Sequence, residues 1–170
     1  LMERLTEDPI ADLRFMGCGA FDIGLFRTQV ARMSVTGEKG YEINCRTGDH
    51  AMLRRLFLDA GKDLGVREVG LSCTLSLRLE KSYGIWSAEY SQSYTAAETG
   101  LDRWIDWGKA DFIGRDAAIK ERDRTGRARR LVTLEIDAMD ADASGYEPVW
   151  QNGKGVGFIT SGGYGHTVGK

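Results

Sequence analysis

Val35-Thr36-Gly37-Glu38-Lys39-Gly40-Tyr41-Glu42 is a polar, glycine-bearing stretch lying between two runs that read as strands. Before it, Thr28 to Ser34 carries Val30 and Met33 among polar residues. After it, Tyr41-Glu42-Ile43-Asn44-Cys45 alternates apolar with polar, the period of two expected of a half-buried strand. Gly37 and Gly40 are the residues able to supply the positive φ of a tight connection. The spacing therefore predicts a β-hairpin with Glu38 at its turn and Glu42 just inside the return strand. By default, an acid on the polar face of a hairpin is simply solvated.

Outward from this hairpin the chain alternates less regularly. Leu1 to Leu13 is a short amphipathic stretch broken at Pro9, and Phe15 to Phe26 is glycine-rich, aromatic and expected to be irregular. Its Gly17-x-Gly19 is no dinucleotide fingerprint, because Asp22 stands where the third glycine is needed. Downstream, Met52, Leu53, Leu56, Phe57 and Ala60 share one face of a helix predicted from His50 to Ala60. Thr47 and Asp49 are its candidate N-caps, and Gly61 or Gly65 its stop. Val66 to Gly70 is a connector or strand, and Leu71, Leu75 and Leu79 predict a second helix running to Lys81. Trp104 to Trp107 reads as a strand and Gly114 to Arg124 as a helix; Arg122 to Arg130 is a charge run expected to be a solvated loop.

From Arg130 the pattern is all β. Leu131 to Ile136 reads as a strand, and Pro148 to Trp150 pairs with Val156 to Ile159 across Gln151-Asn152-Gly153-Lys154. Asn-Gly between alternating apolar residues is the strongest short-range hairpin signal. This order, with no βαβ alternation, predicts an α+β fold with an antiparallel sheet. The composition shift places a domain boundary near residue 125, giving units 1–125 and 126–170.

Bulk composition excludes several classes. The chain has 170 residues, 42% hydrophobic and 28% charged, with a net charge of -2, so no basic excess suits nucleic acid and no charge run suits a membrane surface. No apolar run approaches the roughly 20 residues of a membrane span, and the N-terminus lacks a secretory pattern. The 3 cysteines, Cys18, Cys45 and Cys73, form no CxxC and suit reduced thiols inside the cell. With only 2 histidines, His50 and His166, a histidine metal cage has little material, and no metal is expected. The absence of an initiator Met and the stop directly after a strand and glycine turn suggest a fragment of a longer chain.

Thr36-Gly37-Glu38-x-Gly40-Tyr41-Glu42 resembles the "TGE-x-G-(Y/F)-E" hairpin of the aminomethyltransferase (glycine-cleavage T-protein) family, which binds tetrahydrofolate. Gly70-Leu71 with Leu77-Arg78-Leu79-Glu80 resembles that family's "GL-x-x-x-x-x-LRLE" helix. Two departures stand out: the family usually has tyrosine at Val35, and Cys73-Thr74-Leu75 replaces the T-protein's "ARD". The continuation from Leu77 to Trp86 is most similar to the folate module fused to FAD-dependent dimethylglycine and sarcosine dehydrogenases. Glu98-x-Gly100-Leu101, Asp111-Phe112-Ile113-Gly114-Arg115, Val149-Trp150-x-Asn152-Gly153-Lys154-x-Val156-Gly157 and Thr160-Ser161-Gly162-Gly163-Tyr164-Gly165 continue the resemblance in order.

The resemblance implies the end of a folate-binding aminomethyltransferase domain followed by the start of a C-terminal β-barrel domain, cut short. It implies that a flavin in an upstream domain oxidises an N-methyl amine, dimethylglycine or sarcosine, and that the carbon passes to tetrahydrofolate. Glu42 would accept the pterin's ring N–H and amino group as a fork, and Arg78 would hold an acceptor of the pterin or a carboxylate of the folate tail. Tyr83 and Trp86 would line the pterin slot. No catalytic residue is expected here, since the family's acid lies upstream of the hairpin and nothing before residue 28 matches it. Competing readings remain for each residue: Arg78 as a surface side chain paired with Glu80 or Glu42, and Tyr83 and Trp86 as core aromatics. The alternatives for the whole are a stand-alone aminomethyltransferase and a non-catalytic folate-binding regulatory protein. Either way the expected partner is a small-molecule folate, with no nucleic acid and no membrane, and the expected place is the cytoplasm, or the mitochondrial matrix in a eukaryote.

Overall fold

The computed structural model describes residues 1–124, 126 and 129–170. Strands β1 (Cys18–Ile23), β2 (Phe26–Ala31) and β3 (Glu42–Asn44) form one antiparallel sheet in that order, and β4 (Pro148–Gln151) pairs with β5 (Lys154–Phe158) in a second. Helices α1 (His50–Ala60), α2 (Leu71–Glu80), α3 (Ala96–Thr99) and α4 (Arg115–Arg122) complete a mixed α+β chain with antiparallel sheets. It divides into two compact units, Leu1–Leu75 and Ser76–Lys170.

The first unit is built on apolar alternation. Phe21 and Ile23 on β1 and Thr28 and Val30 on β2 are buried on one face, with Phe21 opposite Thr28 and Ile23 opposite Phe26. The Thr28 hydroxyl is satisfied by donating to the Phe21 carbonyl at 2.9 Å. Leu5 and Ile10 from the N-terminal turns and Leu53 from α1 close this core, against which Leu56, Phe57 and Ala60 pack. Each fully buried aliphatic side chain contributes about 1.5–3 kcal/mol. The predicted helix from His50 to Ala60 is found, though Met52 on its predicted apolar face is exposed. Asp49 makes no side-chain capping bond; a short turn over Thr47–Asp49 leads into the helix instead. Residues 15–26, expected to be irregular, hold β1, because the glycines of this stretch mask the Phe21 and Ile23 alternation.

The central hairpin is looser than predicted. β2 ends at Ala31 and β3 begins at Glu42, so residues 32–41 form a loop in place of a tight turn. Arg32 continues to pair with the lead-in to β1, donating to Gly17 and accepting from Met16, at 2.9 and 3.0 Å. Ser34 and Thr36 bond each other through their hydroxyls at 3.1 Å, a local alternative to the ladder. Gly37 takes positive φ, 77°, but Gly40 does not. Residues 66–70 are an unpaired connector.

In the second unit the Asn152-Gly153 hairpin forms as predicted, with φ of 51° and 74° at its two turn residues and Gln151 opposite Lys154. Two predicted strands are absent. Leu101–Trp104 is a helical turn, and the Asp106 side chain accepts from the Gly108 amide in place of strand pairing. Leu131–Ile136 carries no ladder among the described residues, although Leu131 donates to the Glu98 carbonyl at 2.8 Å. The charge run is more anchored than a solvated loop: Arg122 stacks over Trp107 at 4.8 Å and Arg129 over Tyr94 at 5.5 Å. Thr125, Arg127 and Ala128 of that run, including the position named as the domain boundary, lie outside the described residues.

Candidate functional site

The end of α2 decides where Arg78, Tyr83 and Trp86 lie. The Ser82 amide donates to the Leu79 carbonyl at 2.9 Å and the Tyr83 amide to the Arg78 carbonyl at 2.9 Å, with Ser82 at φ 58°. This is a Schellman termination with serine where glycine is usual. The reversal carries Tyr83 back beside the last turn, so that the Arg78 guanidinium donates through Nη1 to the Tyr83 carbonyl at 2.9 Å. Arg78 is 3% exposed, so it is no snorkelling surface residue, and its partner is neither Glu80 nor Glu42.

That partner is Glu89, itself 4% exposed, whose Oε2 accepts from Arg78 Nη1 at 3.1 Å and from the Ile85 amide at 3.0 Å. Burial alone would push the Glu89 carboxyl up, but the Ser161 hydroxyl, the Ile85 amide, the Thr160 hydroxyl and the Arg78 charge together hold it below the usual carboxylate range. The same helix meets the C-terminal motif at two further points. Ser76 donates its hydroxyl to the Tyr164 carbonyl at 2.7 Å, and Glu80 accepts from the Thr167 amide at 2.9 Å. Arg78 keeps one buried donor, Nε, with no partner. Gly162 sits so close to residue 143 that a Cβ would lie 1.8 Å from the Ala143 oxygen.

Tyr83 and Trp86, on the turn clamped by Arg78 and Glu89, are 46% and 78% exposed and so are not core aromatics. Glu42 belongs to the first unit, where it opens the edge strand β3 opposite Ala31. Its carboxylate is exposed and has no hydrogen-bond or ion-pair partner among the described residues. The structure thus brings Arg78, Tyr83 and Trp86 onto one turn and sets Glu42 on a separate unit. Glu89, Thr160 and Ser161 were missed as a cluster by sequence reasoning; a lone acid between alanine and tyrosine carries no spacing signal. Elsewhere in the second unit, a cavity of about 300 Å³ lies among α3, the turn after it and α4, lined in part by Ala97, Ile105, Trp107 and Ala118.

Such an α+β chain, with an unpartnered acid on its edge strand and exposed aromatics on a clamped turn, can be placed by comparison. The GCVT N-terminal domain matches residues 1–109, and the glycine cleavage T-protein C-terminal barrel domain matches residues 129–170. The chain belongs to the glycine cleavage T-protein (GCVT) family. It is 34% identical over 173 residues to the mitochondrial dimethylglycine dehydrogenase of Mus musculus, a match covering 100% of this chain and 20% of that protein. It is 34% identical over 164 residues to the aminomethyltransferase of Geobacillus sp. (strain WCH70), covering 95% of this chain and 44% of that one. The aminomethyltransferase of Bacillus subtilis (strain 168) is 33% identical over 172 residues, 100% of this chain and 47% of the relative. The chain therefore spans a fifth of the dehydrogenase and less than half of either transferase. Among the described residues no helix is long and apolar enough to cross a membrane.

Proposed function

We propose that the chain is a tetrahydrofolate-binding, one-carbon-transfer module of a protein of the dimethylglycine or sarcosine dehydrogenase type. The observation that carries the reading is Glu42, an exposed carboxylate at the start of an edge strand with no protein partner among the described residues. A free carboxylate suits the adjacent N–H and amino donors of a pterin, which it can accept together. On the second unit, the exposed rings of Tyr83 and Trp86 are further candidates for stacking on the pterin. In this reading Glu42 is the proposed contact to the pterin edge; on the second unit Tyr83 and Trp86 are proposed stacking contacts, and Arg78, enclosed by its bonds to Tyr83 and Glu89, supports the turn that carries them.

Bound tetrahydrofolate supplies the nucleophilic nitrogen that accepts the carbon. The residues named here bind it, orient it and keep water from the reacting carbon. The flavin and the catalytic acid are supplied by segments preceding residue 1 in the complete protein, and an N-methyl amine is its substrate. In this reading the folate domain ends and the barrel begins near residue 125; matches over residues 1–109 and 129–170 support a boundary between them. The protein works in the cytoplasm, or in the mitochondrial matrix of a eukaryote.

Equal identity to the Geobacillus transferase favours a second reading, a stand-alone aminomethyltransferase without a flavin. Amine-dependent flavin reduction by the full-length protein separates the two. For the shared folate site, Glu42→Gln replaces one acceptor with a donor facing the pterin donors. Tetrahydrofolate affinity should fall by about 2–4 kcal/mol, or about 30- to 1,000-fold. Glu38→Gln, on the loop before it, should leave affinity near that of wild type. Equal titration curves for Glu42→Gln and wild type would remove Glu42 from the site.

A further inference from the structure

Glu89 is 4% exposed and accepts from Arg78 on α2 and from the Ile85 amide on the turn, while the Thr160 and Ser161 hydroxyls beyond β5 help to hold its carboxyl low. A buried carboxylate is costly unless it is hydrogen-bonded and paired, and Glu89 Oε2 accepts from both a guanidinium and an amide. Of the apolar side chains on the turn it closes, none is fully buried: Tyr83 and Trp86 are exposed and Ile85 and Ala88 only half-buried, while Ser82 sits in the left-handed region. The turn has further ties in the Tyr90 amide, which donates to the Ile85 carbonyl at 3.1 Å, and the Gly84 amide, which donates to the Tyr90 hydroxyl at 3.3 Å. These bonds organise residues 84–90 internally. The link that fixes them to α2 passes through Arg78 Nη1, which bridges the Tyr83 carbonyl and Glu89.

We propose that Glu89 is a positioning residue of the folate site: its carboxylate orients the Arg78 guanidinium and fixes the turn that presents Tyr83 and Trp86. The inference rests on the folate reading given above. Glu89 does not touch the ligand itself; it is enclosed beneath the turn, and it acts through Arg78 and through the Ile85 amide. With Gln in its place, the near-isosteric amide keeps one acceptor but sets an NH2 against donors that all point inward. Arg78 then loses its anionic partner and residues 84–90 their side-chain link to α2, while the outward faces of Tyr83 and Trp86 keep their chemistry.

The test uses the full-length protein and tetrahydrofolate as the probe, titrated well below the melting temperature of each variant. Wild-type binding comes first; if wild type does not bind, the folate reading itself fails. With wild type binding, Glu89→Gln should weaken tetrahydrofolate at least about 10-fold, and tetrahydropterin, which lacks the tail, by a similar factor. A lower melting temperature with unchanged affinity for both probes would show a purely structural role and overturn the proposal. Should Glu89→Gln fail to fold, Ser161→Ala decides instead. It removes the hydroxyl that does most to lower the Glu89 pKa while keeping the Arg78 pair, and should weaken both probes a few-fold; equal affinity there overturns the proposal too.

Discussion

The two units are stabilised by different physics. The first encloses Leu5, Ile10, Phe21, Ile23, Val30 and Leu53, apolar side chains whose burial is favourable in any arrangement that excludes water. In the second, the most enclosed side chains are Arg78 and Glu89, whose burial is tolerable only in one arrangement. Nondirectional burial forgives substitution and leaves a periodic trace in sequence. A buried ion pair forgives little and leaves no periodic trace. The second unit should therefore be the more fragile to single changes and the more selective about the shape of its surface.

Breaking the pair on one side is expected to have the largest effect. Arg78→Met leaves the Glu89 carboxylate enclosed without its cation, a change that typically costs about 3–5 kcal/mol. Chemical denaturation should show the loss, and the double variant Arg78→Met with Glu89→Leu should recover much of it. If the single variant were as stable as wild type, the pair would be no hub and the contrast between the units would collapse.

In the first unit the response should be graded with the atoms removed. Ile23, fully enclosed, should cost about 0.5–1.5 kcal/mol as Ile23→Val and about 2–5 kcal/mol as Ile23→Ala. Hydrogen exchange can assign each loss: Ile23 variants should loosen the amides of β1 and β2, and Arg78→Met those of residues 83–90. Loosening of both regions by both variants would mean that the units share one cooperative core.

The same contrast explains what the sequence disclosed. The helix from His50 to Ala60 and the Asn152-Gly153 turn were legible because each follows from local periodicity or one dipeptide's backbone preference. Family motifs were legible as strings before their mechanics were. Glu98-x-Gly100-Leu101 proves to be a helix cap: Thr95 and Glu98 exchange bonds at 3.0 and 3.2 Å, and Gly100 ends α3 at φ 72°. Thr160-Ser161-Gly162 supplies two hydroxyls that help to lower the Glu89 carboxyl and a backbone approach that admits no side chain. What stayed hidden was long-range pairing. Arg78 offered Glu80 and Glu42 as partners on sequence grounds, whereas the chain reversal at Ser82 delivers Glu89. An unsignalled serine in the left-handed region sets that reversal, and no periodicity encodes it. Leu131 to Ile136 failed for the converse reason, since β propensity without a pairing edge makes no strand.

The smallest expected effect, and the one that tests the contrast without any mutation, is that of acid. Glu89 titrates below the usual carboxylate range when folded, because the Ser161, Ile85, Thr160 and Arg78 interactions outweigh the opposing effect of burial. A folded value below the unfolded one means that the unfolded chain binds the proton more readily. The stability Glu89 contributes is therefore fully present above its unfolded pKa, and is lost as pH falls through its folded one. At neutral pH the turn should be indifferent to small pH changes; under acid its amides should exchange faster, after the usual carboxylate range has been passed. The core around Ile10, Ile23 and Val30 holds no carboxylate among the described residues and should keep its protection across the same interval. Hydrogen exchange at Ile85 and at Val30, followed from neutral into acid, measures both in one sample. Parallel loss at the two amides would place acid sensitivity outside Glu89, whereas loss at Ile85 alone, abolished in Glu89→Gln, would assign it there.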